Sequence, residues 1–351
     1  MDTKIVKIDE NAIDHEAIKA AGDVIKKGGL VAFPTETVYG LGGNALDPGA
    51  SRKIYEAKGR PSDNPLIVHI YRMEDLYEVA ADVSNDAIKL ADKFWPGPLT
   101  MIFNKKAIVP GETTGGLDTV AVRMPDNSIA SEFIKASGGF VAAPSANLSG
   151  RPSPTSAAHV IEDMDGRIDM IIDGGSSVIG LESTIVDMTG DVPMILRPGY
   201  ISGEMVKDVL FKVDYDPAVF GDVTEGLRPK APGMKYRHYA PKGELMIIKG
   251  DRDLVVRYIQ ERITGGLEQG KRVGIIATDE TAGYYRDATL LKSVGAREDE
   301  ESIARHLYAV LRECDDSDID LIFSEDFDTP RIGQAIMNRL IKAAGHNIVN
   351  V

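Results

Sequence analysis

The 351-residue chain is predicted to fold as two α/β domains, the first built on a mixed twisted sheet and the second a smaller, doubly wound one. Three observations carry that prediction. Short apolar runs end abruptly in turn residues through the first two thirds, where most of the 35 glycines lie. Stretches with helical apolar spacing separate those runs. From residue 243 onward the alternation becomes tidier, strand then helix three times over.

Leu30–Phe33 before Pro34, Phe140–Ala143 before Pro144, and Met170–Ile172 running into Asp173-Gly174-Gly175 read as buried strands that end in turns. Helices are expected over 15–27, 50–58, 75–81 and 85–93. From Val213 to Lys242 the periodicity fades, and Pro217, Pro229, Pro232 and Pro241 interrupt the chain as in an interdomain linker. Beyond it Leu245–Ile248, Arg272–Ala277 and Leu321–Phe323 read as strands, and 251–263, 300–313 and 331–344 as helices. The expected divisions are 1–212, a linker at 213–242, and 243–351.

Composition excludes several functions. Apolar residues at 43% and charged residues at 27% are globular values, not those of a disordered chain. Forty Lys and Arg against 54 Asp and Glu give a net charge of −14, which argues against a generally basic nucleic-acid coat. The one cysteine, Cys314, has no partner for a disulfide and fits a reducing, cytoplasmic setting. No signal peptide and no run of 18 apolar residues is present, so no membrane association is expected.

Familiar catalytic motifs are missing. The sequence has no GxxxxGK[ST], HExxH or GxSxG, and Ala45 stands where a dinucleotide fingerprint starting at Gly40 needs its third glycine. Six dispersed histidines suggest no metal site. What remains are polar clusters at strand ends. FPTETVYG (33–40) places Thr35, Glu36, Thr37 and Tyr39 just past an apolar run; the plain alternative is a helix cap at Thr35 or Thr37. Lys58-Gly59-Arg60, followed by Ser62, ends a helix with two cations suited to a polyphosphate, or simply to the helix's negative end. His69 closes the run 66–68 and could equally be a core histidine. Arg123 ends the strand 120–122, and a buried arginine needs an anion from protein or ligand. Ser145-Ala-Asn147, Thr155, Ser183 and Arg197 lie at or beside further strand ends, as in the ligand crevices of open α/β sheets. Between 228 and 242 five cations and no carboxylate surround Tyr236, His238 and Tyr239, which suits a loop that folds over a phosphorylated ligand.

With FPTETVYGLG, Lys58-Gly-Arg60, Ser145-Ala-Asn147 and PGMKYRHYAP, the chain resembles the L-threonylcarbamoyladenylate synthase family along essentially its whole length, in the long form with a YrdC-type domain, a linker and a Rossmann-like C-terminal domain. The resemblance implies an enzyme, a nucleotidyltransferase. Threonine captures bicarbonate or carbon dioxide, the resulting N-carboxylate attacks the α-phosphate of ATP, and pyrophosphate leaves. The product, threonylcarbamoyl-AMP, then serves partner proteins that modify a tRNA adenosine. By motif, Thr35, His69, Arg123, Ser145 and Ser183 would line the threonine end. Lys58, Arg60, Ser62, Thr119, Asn147, Thr155, Arg197 and Tyr236 would serve ATP, with Lys58 and Arg60 contributing most to catalysis by charge. Magnesium would arrive with ATP, held mostly by phosphate and water, with no protein carboxylate assigned to it. The rival reading is a non-catalytic binder of double-stranded RNA or tRNA; another is a carbamoyl- or acyl-phosphate transferase. Stable nucleic-acid binding is not expected at a charge of −14.

Overall fold

Asp14 opens the first helix, His15–Lys26, by accepting hydrogen bonds from the Glu16 and Ala17 amides. Ile18, Ala21, Gly22 and Ile25 form its buried stripe, three and four residues apart. That stripe packs on the helix Ser128–Ala136, and a methyl at Gly22 would collide with the Ala136 carbonyl. In the computed structural model, residues 2–219, 229–232 and 239–351 are described. Two compact units result: Met1–Ser149 with Ser153–Val178 and Glu182–Lys235, and Gly150–Pro152 with Ile179–Leu181 and Tyr236–Val351.

The first unit is a mixed sheet in the order Lys4–Lys7, Met170–Asp173, Val31–Phe33, Gly40–Asn44, Val141–Ala143, Ile67–His69, Thr119–Arg123, Leu99–Lys105, Thr184–Asp187, Met194–Arg197 and Asp214–Tyr215, with Ala80–Ala81 added on Leu99–Lys105. Asp214–Tyr215 lies inside the span read as linker, yet it pairs with Met194–Arg197. One face of the sheet packs Ile54, Leu66, Val68, Leu90 and Trp95; the other packs Ile18, Ile25, Phe33, Phe133 and Ile134. The helix expected at 75–81 is shorter. A 3-10 turn at Met73–Asp75 leads into Leu76–Val79, and Ala80–Ala81 is already strand.

The second unit is an all-parallel sheet in the order Leu290–Ser293, Val273–Ala277, Leu321–Glu325, Glu244–Lys249 and Ile348–Asn350. Its first helix runs Arg252–Glu268, five residues past the expected end, straight through Gly265-Gly266. Gly266 is buried because its bare backbone lies against Val273, where a Cβ would meet Cγ2 at 2.7 Å. Glu325 ends the Leu321–Glu325 strand and accepts hydrogen bonds from Tyr285 Oη at 2.8 Å and Arg297 Nη2 at 2.9 Å.

Candidate functional site

Register brings the site together in the first unit. Ile67–His69 and Thr119–Arg123 run parallel with His69 opposite Arg123. Leu99–Lys105 runs antiparallel to the latter and sets Thr100 opposite Arg123. Thr100 lies opposite Ile185, which lies opposite Arg197 across the next antiparallel pair. One edge of the sheet therefore carries His69, Arg123, Thr100, Ser183 and Arg197. Thr100 Oγ1 and Ser183 Oγ are 2.8 Å apart. Gly199 lets the chain fold back beside them, since a methyl there would strike the Thr184 amide and the Glu182 carbonyl.

Arg123 is buried, and its anion comes from the protein: Nη2 lies 2.6 Å from Glu36 Oε1. Nη1 donates to Thr37 Oγ1 at 2.8 Å and Nε to the Gly97 carbonyl at 3.3 Å. Thr35 donates its one hydroxyl proton to the Val38 carbonyl at 2.6 Å, so in the 2.9 Å Thr35–Thr37 contact Thr37 is the donor. The result is a one-way relay, Arg123 to Thr37 to Thr35 to Val38. Thr35 Oγ1 also accepts from the Thr37 amide, which commits its proton and both lone pairs. Any ligand contact by Thr35 falls to its other atoms. The helix-cap reading of Thr35 and Thr37 does not hold: strand Gly40–Asn44 follows, and the next helix, Pro48–Lys58, is capped by Asp47.

His69 packs edge-on to Phe33 at 5.8 Å, with its Nδ1 3.1 Å from the Ile67 carbonyl. Burial above all, and then the Arg123 cation, pull its pKa down to about 3 against the hydrogen bonds to Ile67 and Val141. His69 is uncharged at neutral pH. On the other flank, partial desolvation raises the pKa of Asp126, with Glu36 and then Glu10 adding to the effect.

A second group forms around Lys58. Gly59 ends the helix in the left-handed conformation, φ 61°, as the sequence suggests. The buried Lys58 ammonium donates to the carbonyls of Ser145 and Asn147, and Ser145 Oγ donates to Asn147 Oδ1 at 2.6 Å. A bridge between Gly40 and Ser145 and the bond from the Ala146 amide to the Tyr39 carbonyl tie this loop to FPTETVYG. Ser177 joins Thr155 to Thr35, its amide donating to the Thr155 carbonyl and its hydroxyl to the Thr35 carbonyl. Arg60 Nη2 reaches back to the carbonyls of Asn64 and Pro65. Buried Arg197 grips Ser183 through the carbonyl, at 3.1 and 2.9 Å, and the hydroxyl, and donates to the Pro232 carbonyl.

Two expected residues stand apart. Ser62 is exposed, and Thr119 lies four residues, about 13 Å, up the strand from Arg123. Among the described residues no hydrogen bond links either to the others. Tyr236 lies outside the described residues, as do Arg228, Lys235, Arg237 and His238 of the basic segment. Of the described part, 229–232 belong to the first unit, where Ala231 is buried with Ile67, Ile185 and Leu196 and Lys230 lies 3.7 Å from Asp187, while Tyr239 stacks on Tyr308 in the second. Sequence reasoning missed Glu36 and Glu182 as site carboxylates. Glu182 accepts from Ser153 Oγ at 2.5 Å, and the signal for both was a carboxylate beside hydroxyls at a strand end.

A family model for Sua5, YciO and YrdC proteins, described as "Telomere recombination", matches residues 23–199, and one described as "Threonylcarbamoyl-AMP synthase, C-terminal domain" matches 201–345. A protein of Pyrococcus abyssi named threonylcarbamoyl-AMP synthase is 48% identical over 99% of this chain and 100% of its own. The chain belongs to the threonylcarbamoyl-AMP synthase family. A Bacillus subtilis synthase is 46% identical over 97% of this chain and 96% of its own. The crystal structure of P. abyssi Sua5 complexed with L-threonine superposes with a TM-score of 0.94 at 48% identity, covering 99% of this chain and 100% of that one. E. coli YciO, at 24% identity and a TM-score of 0.51 over 56% of this chain, shares the fold of the first unit.

Proposed function

We propose that this chain joins L-threonine, bicarbonate or carbon dioxide, and ATP into threonylcarbamoyl-AMP with release of pyrophosphate. Full-length similarity to enzymes of that name carries the reading. The site supports it chemically: it gathers cations and hydroxyls, and here the substrate supplies the nucleophile. Threonine's amine takes up bicarbonate, losing water, and the resulting N-carboxylate attacks the α-phosphate. The protein then has to hold the reactants in line and offset developing negative charge. Arg123 is the group to receive the threonine carboxylate, beside neutral His69 and the Ser183 hydroxyl. Lys58 and Arg197, oriented by neutral carbonyls, face the phosphates, together with Arg60, Asn147 and Thr155. Magnesium would enter with ATP and offset its phosphate charge.

Cytoplasmic proteins that modify tRNA adenosine to N6-threonylcarbamoyladenosine would consume the product. Among the described residues no helix is long and apolar enough to cross a membrane. Family membership sets aside the reading as a non-catalytic RNA binder. Pyrophosphate release, measured with threonine and bicarbonate omitted in turn, tests the assignment: both omissions should abolish it, and release without threonine would overturn it.

A further inference from the structure

We propose that Glu36 is a positioning residue for threonine, acting through Arg123. The inference rests on the reading of the chain as a threonine-dependent adenylate former. A guanidinium has five N–H groups. In Arg123 one goes to the Gly97 carbonyl, one to Thr37 Oγ1, and one faces Glu36 Oε1 across 2.6 Å. Two remain, one on each terminal nitrogen, the number a carboxylate takes in a two-pronged grip. Thr37 cannot turn away, because its proton is committed to Thr35. Glu36 is the other fixed point.

The way Glu36 is held says what it is for. Its side chain is 9% exposed, and among the described residues neither carboxylate oxygen accepts an aligned hydrogen bond, the 2.6 Å approach of Arg123 Nη2 being an ion-pair contact. Charge alone keeps it against Arg123. A buried ion pair without supporting hydrogen bonds is a poor device for stability, because desolvation offsets the attraction. It is an effective device for fixing a guanidinium and moderating its charge. With both oxygens out of reach of solvent, Glu36 acts on substrate only through the arginine.

Steady-state kinetics on the full-length chain test this. Glu36→Gln should raise the threonine KM about tenfold, as loss of supporting partners does at other preorganised sites. The ATP KM and kcat should stay where they are. Glu36→Asp, keeping the charge on a shorter arm, should show a smaller rise. In an Arg123→Lys background, Glu36→Gln should add nothing further. A merely structural role would lower the melting temperature and the active fraction, so a fall in kcat at unchanged threonine KM overturns the proposal. An equal rise in both KM values does the same. If Glu36→Gln does not fold, Glu36→Asp alone decides, and an unmoved threonine KM refutes the role. Threonine-independent pyrophosphate release by the unmodified protein would instead refute the functional reading, a separate outcome.

Discussion

Glu325 in the second unit and Glu36 in the first are both buried carboxylates beside an arginine, 1% and 7% exposed. Glu325 receives a hydrogen bond from a tyrosine and one from its arginine. Among the described residues Glu36 receives no aligned hydrogen bond, though its arginine is closer. The first is a completed joint, whose oxygens are satisfied as buried polar atoms generally are. The second keeps an unmet demand next to a cation that is itself two donors short of full use. Stability explains Glu325; Glu36 needs a ligand to explain it. The contrast separates a buried pair that completes the fold from one that, on the proposed reading, substrate would complete.

The largest expected effect breaks the comparison if it fails. Lys58→Ala should lower threonine-dependent pyrophosphate release about a thousandfold, the upper scale for removing one preorganised charge donor. Truncation also strips the Ser145 and Asn147 carbonyls of their donor, so thermal stability should fall as well and activity is read per folded protein; a folded variant near wild-type activity would remove Lys58 from the phosphate end. Arg123→Ala should weaken threonine binding by about 3 kcal/mol and leave ATP binding alone, as truncating one side of a buried pair does. Calorimetry with each ligand separately reads this, and equal losses would mean the arginine serves the fold.

Acid should reveal His69. Its folded pKa of about 3 lies below the unfolded value, so the unfolded chain binds the extra proton first. Its contribution to stability is complete above the unfolded pKa and is lost as pH falls from there toward 3. At pH 5 the loss should be about 2 kcal/mol, absent from a His69→Gln variant in denaturation titrations at pH 7.5 and 5. Parallel curves would show that His69 titrates normally. The smallest effect sharpens the contrast from the other side. Tyr285→Phe removes one donor from Glu325 and should destabilise the second unit by about 1 kcal/mol, seen in its melting, with both KM values unchanged.

Much of this was legible in the sequence, and the misses have physical causes. Strand-end arginines and the Gly59 cap could be read because an apolar run followed by a cation, or a glycine after a helix, has few other outcomes. Leu290–Ser293 and Ile348–Asn350 were missed because they are the two edge strands of the second sheet. Exposed on one side, they need no continuous apolar run. The helix past residue 263 was lost to its glycines, whose smallness serves the contact with Val273. Glu36 was visible only as one polar residue among several at a strand end and was given no site role. Its partner lies 87 residues away, and only the strand register brings Arg123 to it.

Lys4–Lys7 has Met170–Asp173 as its neighbour, and that same strand separates it from Val31–Phe33. A ribosome making this protein must therefore release some 170 residues before the first strand can find its place. Until then the early hydrophobic strands have open edges. Folding should be slow for the unit's size and open to aggregation during synthesis. Truncated fragments ending before Met170 should fail to fold, however much of the ligand-binding motif set they contain.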